Sequence, residues 1–464
     1  MLFELYCVFY DNIPHKMQKS IYENQQNELQ YSKGFFFPLN IKIKQVNHMK
    51  LQGNWKRGSL HTHTYWSDGR GFPEQMVGAY KGLGYDFVCF SDHNIFPVDK
   101  NFWLPVRSDE GHWPPMVTWE RFKAYQSEYP KCVERRDVSY RPMVRLRTYD
   151  EVKPMFEEPG KFLVIGGEEF TGGTQLPEGR FDVHFNILNL EKDIPLPPSG
   201  TVEEMIDRYI EAYKKAIEGW PHPTLFMLNH PQWRYWDVSP HQVADLPIVR
   251  HFEVCNGGFE YVPADGMPTI DKFWDVVNAF RCAKDLPLMF GTATDDSHFY
   301  DERIHDNCGC GNGWVTVHCP GDFTADRVIE AMNRGDYYAS NGVELDMVEF
   351  SDGKLRVKAA EKDGVKYRVT FIGTKRGFNA DWTLCHFDCV QENARPNFNR
   401  DLRMYSDDIG RIFQTTDAPE AEYTLADDDL YVRAVIDSDA PSHVRHDAPG
   451  AAPNEKAWTQ PYSR

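Results

Sequence analysis

Histidines and acids recur in short polar clusters between residues 61 and 298: His61 and His63 in HTHT, Asp68 in SDG, His93 in SDH, Glu168 and Glu169 in GEEFT, His184 in DVHFNIL, His230 in NHP, and Asp296 and His298 in DDSH. Imidazole and carboxylate without cysteine form the donor set of Zn, Mn or Fe(II). His61 and His63 alternate, so an extended backbone turns both rings the same way and lets them grip one ion. Each cluster alone has an ordinary reading as a packed histidine, a turn aspartate or a helix cap. Two consecutive glutamates beside a core strand, however, are costly to bury without cations. Taken together, the clusters point to a metal centre that activates water for hydrolysis.

Such residues can meet only if one fold gathers them. From Arg57 onward the pattern runs strand, turn, helix, strand, which predicts an α/β domain with largely parallel pairing. The expected strands carry GSLHTHT, DFVCFSD, KFLVIGG, DVHFNILNL, TLFMLN, VRHFEVC, PLMFGTA and GWVTVH, and the polar clusters stand at or near their ends. In a parallel α/β barrel those carboxyl ends converge on one face. A helix is expected to open near Pro73, with Met76, Val77, Tyr80 and Leu83 on one stripe. A second starts at Thr201, where Thr201 and Glu204 have capping-box spacing, and a third follows Thr324.

After about residue 340, alternating runs such as KLRVKA, KYRVTFIG and DLYVRAVID predict a small antiparallel β domain. The expected division is an irregular N-terminal extension over 1–50, a catalytic domain over 51–343, and a β-rich domain with a tail over 344–464. The stretch from Asp437 to Pro453 is expected to be a surface tail. The opening MLFELYCVFYDN lacks a basic leader, so neither a signal peptide nor a membrane span is expected.

A net charge of -18 argues against a polyanionic nucleic-acid partner and for a small-molecule substrate. The ten cysteines form no regular framework, so a reducing, cytoplasmic setting is expected. The pairs Cys308 with Cys310 and Cys385 with Cys389 lack a second half for a closed zinc site. No GxSxG turn, Walker loop or GxGxxG fingerprint competes with hydrolysis at a metal.

The series RGSLHTHTYWSDG, SDHN, GEEFT, NHP and DDSH, in this order over roughly residues 57 to 340, resembles the successive motifs of PHP-family phosphoesterases, especially their carbaryl-hydrolase-like (CehA/McbA) branch. The closing WTQP is similar to that branch as well. The resemblance implies an α/β fold built as a distorted (β/α)7 barrel holding two or three divalent ions. It implies that His61, His63, Glu169 and Asp296 hold the first ion, that Glu169 bridges to a second held by His184 and His230, and that Asp68, His93 and His298 hold a third. Glu169 is preferred over Glu168 because GEEFT fits the family motif only in that register. His184 rests on its position after the glutamate motif, with His222, His241 and His251 as its competitors.

Of these residues, Glu169, Asp296 and His298 are assigned catalytic roles, with a metal-bound hydroxide as the expected nucleophile. The expected reaction is hydrolysis of a small phosphoester, with carboxyl or carbamate ester hydrolysis as the alternative and a noncatalytic or nucleic-acid-binding role as a third reading. Arg70, Asn94, Arg234, Asn256 and Arg303 are candidate substrate contacts because they lie close to motif ends. Trp103, Trp113, Trp119, Trp233 and Trp236 fall in loops expected to overhang or pack beside the mouth.

Overall fold

The structure, a computed structural model, describes residues 48–107, 117–257, 266–300, 308–389, 398–442 and 454–464. It is a mixed α/β fold whose site-bearing strands belong to two sheets. One is five-stranded, in the order Phe290–Thr294, His251–Asn256, Leu225–Leu228, Gly179–Leu188, Gly167–Leu176. The other is nine-stranded and ends, at its site-bearing side, with Trp314–His318, Trp55–Ser59, Phe87–Cys89 and Leu163–Ile165. Single parallel bridges, Thr62 with Ser297 and His93 with Glu169, stitch the sheets together just beyond the strand ends. No closed barrel is detected among the described residues, so the expected ring of strands is seen as two sheets joined at the rim.

The pairing is less parallel than the sequence pattern predicts. Trp55–Ser59, Phe87–Cys89 and Leu163–Ile165 run parallel, as do Leu225–Leu228, His251–Asn256 and Phe290–Thr294. Between these runs, Gly167–Leu176 and Gly179–Leu188 form a long antiparallel hairpin. Only Pro177 and Glu178 separate its strands, too short a connection for the crossover that parallel pairing needs.

Local sequence signals account for the helices. Glu204 N–H donates to Thr201 Oγ1 at 3.2 Å and Thr201 N–H to Glu204 Oε2 at 3.2 Å, starting the Val202–Ala216 helix with the expected reciprocal cap. Its stripe of Met205, Ile206, Tyr209, Ile210 and Tyr213 is buried against the five-stranded sheet in the main core. Pro73–Gly82 and Ala325–Arg334 form the other two expected helices, the latter capped by the Thr324 side chain. Among the described residues no helix is long and apolar enough to cross a membrane, and no disulfide joins the cysteines.

Part of the C-terminal region continues the nine-stranded sheet, because Tyr337–Ser340 pairs with Asn454–Thr459, whereas Leu345–Ser351, Lys354–Ala359 and Glu420–Thr424 belong to a separate four-stranded sheet. The N-terminal extension falls mostly outside the described residues, but His48–Gln52 forms a strand paired with Leu345–Ser351. Asp437 to Pro441, expected to begin a surface tail, instead completes the strand Asp429–Pro441. Backbone pairing holds this part of the strand, since Ser438 pairs with Tyr367 on one side and Asp437 and Pro441 pair with Lys456 and Asn454 on the other. Residues 443–453 of that stretch lie outside the described set. The strand that follows carries WTQP inward: the Gln460 side chain donates to Gly291 O at 2.9 Å and accepts from Gly291 N–H at 2.9 Å. It thus caps an edge strand that leads directly to Asp296.

Candidate metal centre

His61 and His63 lie just past the end of the Trp55–Ser59 strand, in an extended segment that alternates between scaffold and site. Thr62, between them, turns away: its N–H donates to Ser91 Oγ at 2.8 Å and its hydroxyl to Cys89 O at 2.7 Å. The two imidazoles therefore face the centre together, as the HxH spacing predicts. Gly69 lets the following loop fold back against them, since a Cβ there would lie 2.2 Å from the His63 carbonyl oxygen. That close approach brings Asp68 Oδ1 to 3.4 Å from His93 Nε2 and 3.3 Å from His298 Nε2.

Glu169 is the hub. Its carboxylate oxygens lie 3.3 Å from His61 Nε2, 3.6 Å from His63 Nε2, 2.5 Å from His93 Nδ1 and 3.2 Å from His184 Nδ1. His230 Nε2 is 3.8 Å away. Asp296 forms the opposite wall, with Oδ1 at 3.0 Å from His63 Nε2 and 3.3 Å from His61 Nε2, and Oδ2 at 3.7 Å from His230 Nε2. The donors fall into overlapping groups able to hold metal: His63 with Asp68, His93 and His298; His61 with His63 and Glu169; and His93 with Glu169 and His184. His63 and His93 are thus shared between groups, whereas the motif resemblance assigned each to one ion.

The donor set fits divalent cations. His61 Nε2 and His63 Nε2 are buried, point at carboxylates and have no hydrogen-bond partner of acceptable geometry. A buried polar nitrogen in that state is costly unless something electrophilic meets it. Backbone strain marks the same place: His230, Asp296 and Asn94 adopt positive φ of 24°, 48° and 52° at their strand ends, a region that non-glycine residues seldom occupy.

Burial and mutual repulsion divide the protonation preferences. Burial, with help from His93 and His298, pushes His63 down to about 3; burial and His184 push His230 down to about 4. Burial also opposes the charged form of His61, yet Asp296, Glu169 and Glu253 hold its pKa well above the ordinary value. For Glu169 burial favours the neutral acid, but His61, His93 and His184 outweigh it and keep the carboxyl well below its usual range.

The paired acids of the motifs divide by face. In SDH, Asp92 accepts from Thr64 N–H at 2.7 Å, Thr64 Oγ1 at 2.9 Å and Ser67 Oγ at 2.7 Å, which braces the HTHT segment while His93 enters the site. In DDSH, Asp295 accepts from Tyr80 OH at 2.7 Å and from the N–H groups of Gly311, Asn312 and Gly313, while Asp296 enters. In GEEFT, Glu168 turns toward Asp193 and Ile194, where burial followed by Asp193 raises its pKa to about 9, and Glu169 enters.

Glu253 was not singled out by motif. Its Oε1 lies 2.7 Å from His61 Nδ1, and the carboxylate also accepts from His230 N–H at 2.8 Å, Asn256 Nδ2 at 2.8 Å and Thr294 Oγ1 at 2.7 Å. A carboxylate behind a ligating imidazole fixes its tautomer and orientation. The available signal was a lone acid inside the apolar strand HFEVCN. Asn229, in NHP, likewise donates to Glu169 Oε1 at 2.7 Å.

The expected substrate contacts have varied placements. Asn256 donates to Glu253 and, at 3.3 Å, to Asp296 Oδ2. Both ends of the Asn94 amide bond the backbone of Thr171, tying two strand ends together. Arg70 folds back to donate to Asp68 O at 2.8 Å. The Arg234 side chain, Arg303 and Trp113 lie outside the described residues. Trp233 packs edge-on against His184 and His230 at centroid distances of 5.3 and 5.1 Å. Trp236 is buried in the main core, whereas Trp103 and Trp119 lie under Arg136 and Arg135. Of the competitors to His184, His222 pairs with Asp326, His251 bonds Met332 O, and His241 lies beside the Ile270–Ala283 helix.

No protein-family model and no curated protein matches the chain. Solved structures similar to it include a two-domain protein from Bacteroides vulgatus containing a predicted PHP-like metal-dependent phosphoesterase, 16% identical, covering 86% of this chain and 99% of that one with a TM-score of 0.34. A candidate metal-dependent phosphoesterase from Bifidobacterium adolescentis is 14% identical over 60% of this chain and 96% of its own, with a TM-score of 0.26. An amidohydrolase from Chromobacterium violaceum, with bound sulfate and no metal, is 10% identical over 53% and 88%, with a TM-score of 0.25.

Proposed function

We propose that this chain is a metal-dependent hydrolase of the PHP type that cleaves phosphoester bonds of a small molecule. The observation that carries the reading is the pair of buried ring nitrogens, His61 Nε2 and His63 Nε2, without hydrogen-bond partners and facing Glu169 and Asp296. His61, His63, His93, His184, His230 and His298 with Asp68, Glu169 and Asp296 would hold two or three ions of Zn, Mn or Fe. Bound there, such ions lower the pKa of coordinated water and polarise a substrate oxygen.

The chain supplies orientation. Glu253 locks His61, Asn229 steadies Glu169, and Asn256 spans Glu253 and Asp296. Trp233 packs edge-on against the His184 and His230 rings and holds them in place. Three divalent ions would exceed the charge of Asp68, Glu169, Asp296 and Glu253, which favours an anionic substrate such as a phosphoester over a neutral carbamate. A small substrate is favoured in turn by the net charge of -18, which repels nucleic acid.

The test is turnover by metal-loaded protein. Release of phosphate from phosphomonoesters, cyclic phosphodiesters or nucleotides supports the reading. Hydrolysis of aryl carbamates or naphthyl acetate without phosphate release would transfer the site to carboxyl or carbamate ester chemistry, and salt-sensitive oligonucleotide binding without turnover would remove the enzyme reading.

A further inference from the structure

A second concave site lies where the Ile270–Ala283 helix, the short Pro240–Val243 helix and the Phe398–Tyr405 strand meet, and it encloses a cavity of about 160 Å³. None of the proposed metal ligands lines it. Its apolar wall includes Trp236, Phe273 and Leu402, and its polar side includes His241, Lys272 and Arg403 against the carboxylate of Asp407. Cationic and imidazole nitrogens therefore outnumber acids.

Those nitrogens are not equally committed. Lys272 Nζ donates to Ser406 O at 2.6 Å and Ile409 O at 2.7 Å, so two of its three N–H donors are taken by backbone carbonyls and it adds positive charge to the wall. Arg403 has aromatic contacts among the described residues: its guanidinium lies 4.5 Å from the Trp382 ring centroid and bonds the Tyr405 hydroxyl. His241 Nδ1 is buried with no hydrogen-bond partner. Burial, and then Arg403, lowers the His241 pKa, so the ring is neutral near pH 7 and can donate one hydrogen bond without adding charge.

A planar guanidinium fork matches a carboxylate, and a neighbouring imidazole can add a further donor. The size of the remaining space sets the rest of the ligand, since a cavity of about 150 Å³ accommodates a benzene ring. We propose that this cavity binds a small organic carboxylate with a planar apolar body, its carboxylate on Arg403 beside the His241 ring and its body against Trp236, Phe273 and Leu402. The site is distinct from the metal centre but connected to it: Trp236 closes the four-residue helix Trp233–Trp236, and Trp233 packs on His184 and His230.

Benzoate is the probe, titrated calorimetrically into the full-length, metal-loaded protein, with benzyl alcohol as its neutral counterpart. The expected result is saturable binding with Kd of about 1 mM or tighter, at least about tenfold weaker for benzyl alcohol. Arg403→Met and, separately, His241→Leu should each weaken benzoate at least about tenfold while metal content and basal hydrolysis stay unchanged. The His61→Ala with His63→Ala protein should still bind benzoate. Binding that disappears in that double variant but survives Arg403→Met would assign benzoate to the metal centre and overturn the proposal. So would the absence of saturable binding at millimolar benzoate, or equal affinity for benzyl alcohol, a comparison that requires no variant to fold.

Discussion

Two of the polar networks buried among the described residues are built on opposite principles. In the first, Arg433 meets Asp275 through two contacts of 3.0 and 2.7 Å and Asp271 at 2.9 Å, while Tyr431 OH donates to Asp275 Oδ1 at 2.8 Å. Opposite charges neutralise each other there, and the pair ties the Asp429–Pro441 strand to the Ile270–Ala283 helix. At the candidate metal centre comparable burial instead sets imidazoles against the carboxylates of Glu169 and Asp296, and His61 Nε2 and His63 Nε2 have no hydrogen bond of acceptable geometry. A buried cation paired with carboxylates supports the fold; imidazoles and carboxylates that converge on a common space are arranged to take a cation from outside.

The contrast can be broken from either side. The largest effect is expected from His61→Ala with His63→Ala, which should reduce turnover by at least about a thousandfold, a loss comparable to removing a major electrostatic contributor, while circular dichroism and melting remain close to wild type. Unchanged turnover would mean that the histidines do not serve the chemistry. At the Arg433 ion pair the outcome should reverse. Arg433→Met leaves Asp275 buried and uncompensated and should cost about 3–5 kcal/mol in denaturant unfolding, without altering the ion content of the folded fraction.

Glu253→Gln sharpens the comparison, because Glu253 touches the centre only through His61 and its neighbours. A fall of about 10–100-fold in metal affinity, read by competition with a chelator, is expected with the fold intact; wild-type affinity would reduce Glu253 to a packing role. Gln460→Ala strands the N–H and C=O of Gly291 on the strand leading to Asp296, and a stability loss of about 1–3 kcal/mol should register as a lower unfolding midpoint. Thr201→Ala, far from both networks, should cost about 1 kcal/mol and leave activity unchanged.

Much of this arrangement was legible in the chain itself. HxH spacing and strand-end clustering pointed to His61, His63, His93, Asp296 and His298, and the structure brings them together with Asp68, Glu169, His184 and His230. Capping chemistry at Thr201 located a helix start because that signal is local. What escaped was nonlocal. Glu253 becomes recognisable only when parallel pairing sets His251–Asn256 beside the Leu225–Leu228 strand that ends near His230. The bracing roles of Asp92 and Asp295 depend on which face of the chain each neighbour occupies. Hairpin pairing over residues 167–188 was hidden because its strands read like any others, and only the two-residue connection reveals their direction.

Metal analysis of the purified full-length protein after incubation with Zn, Mn or Fe, alongside the His61→Ala with His63→Ala variant, addresses the central claim most directly. Two or three tightly held ions per wild-type chain and fewer in the variant are the predicted result. A wild-type chain that retains no ion, or a variant that retains the full complement, would contradict it.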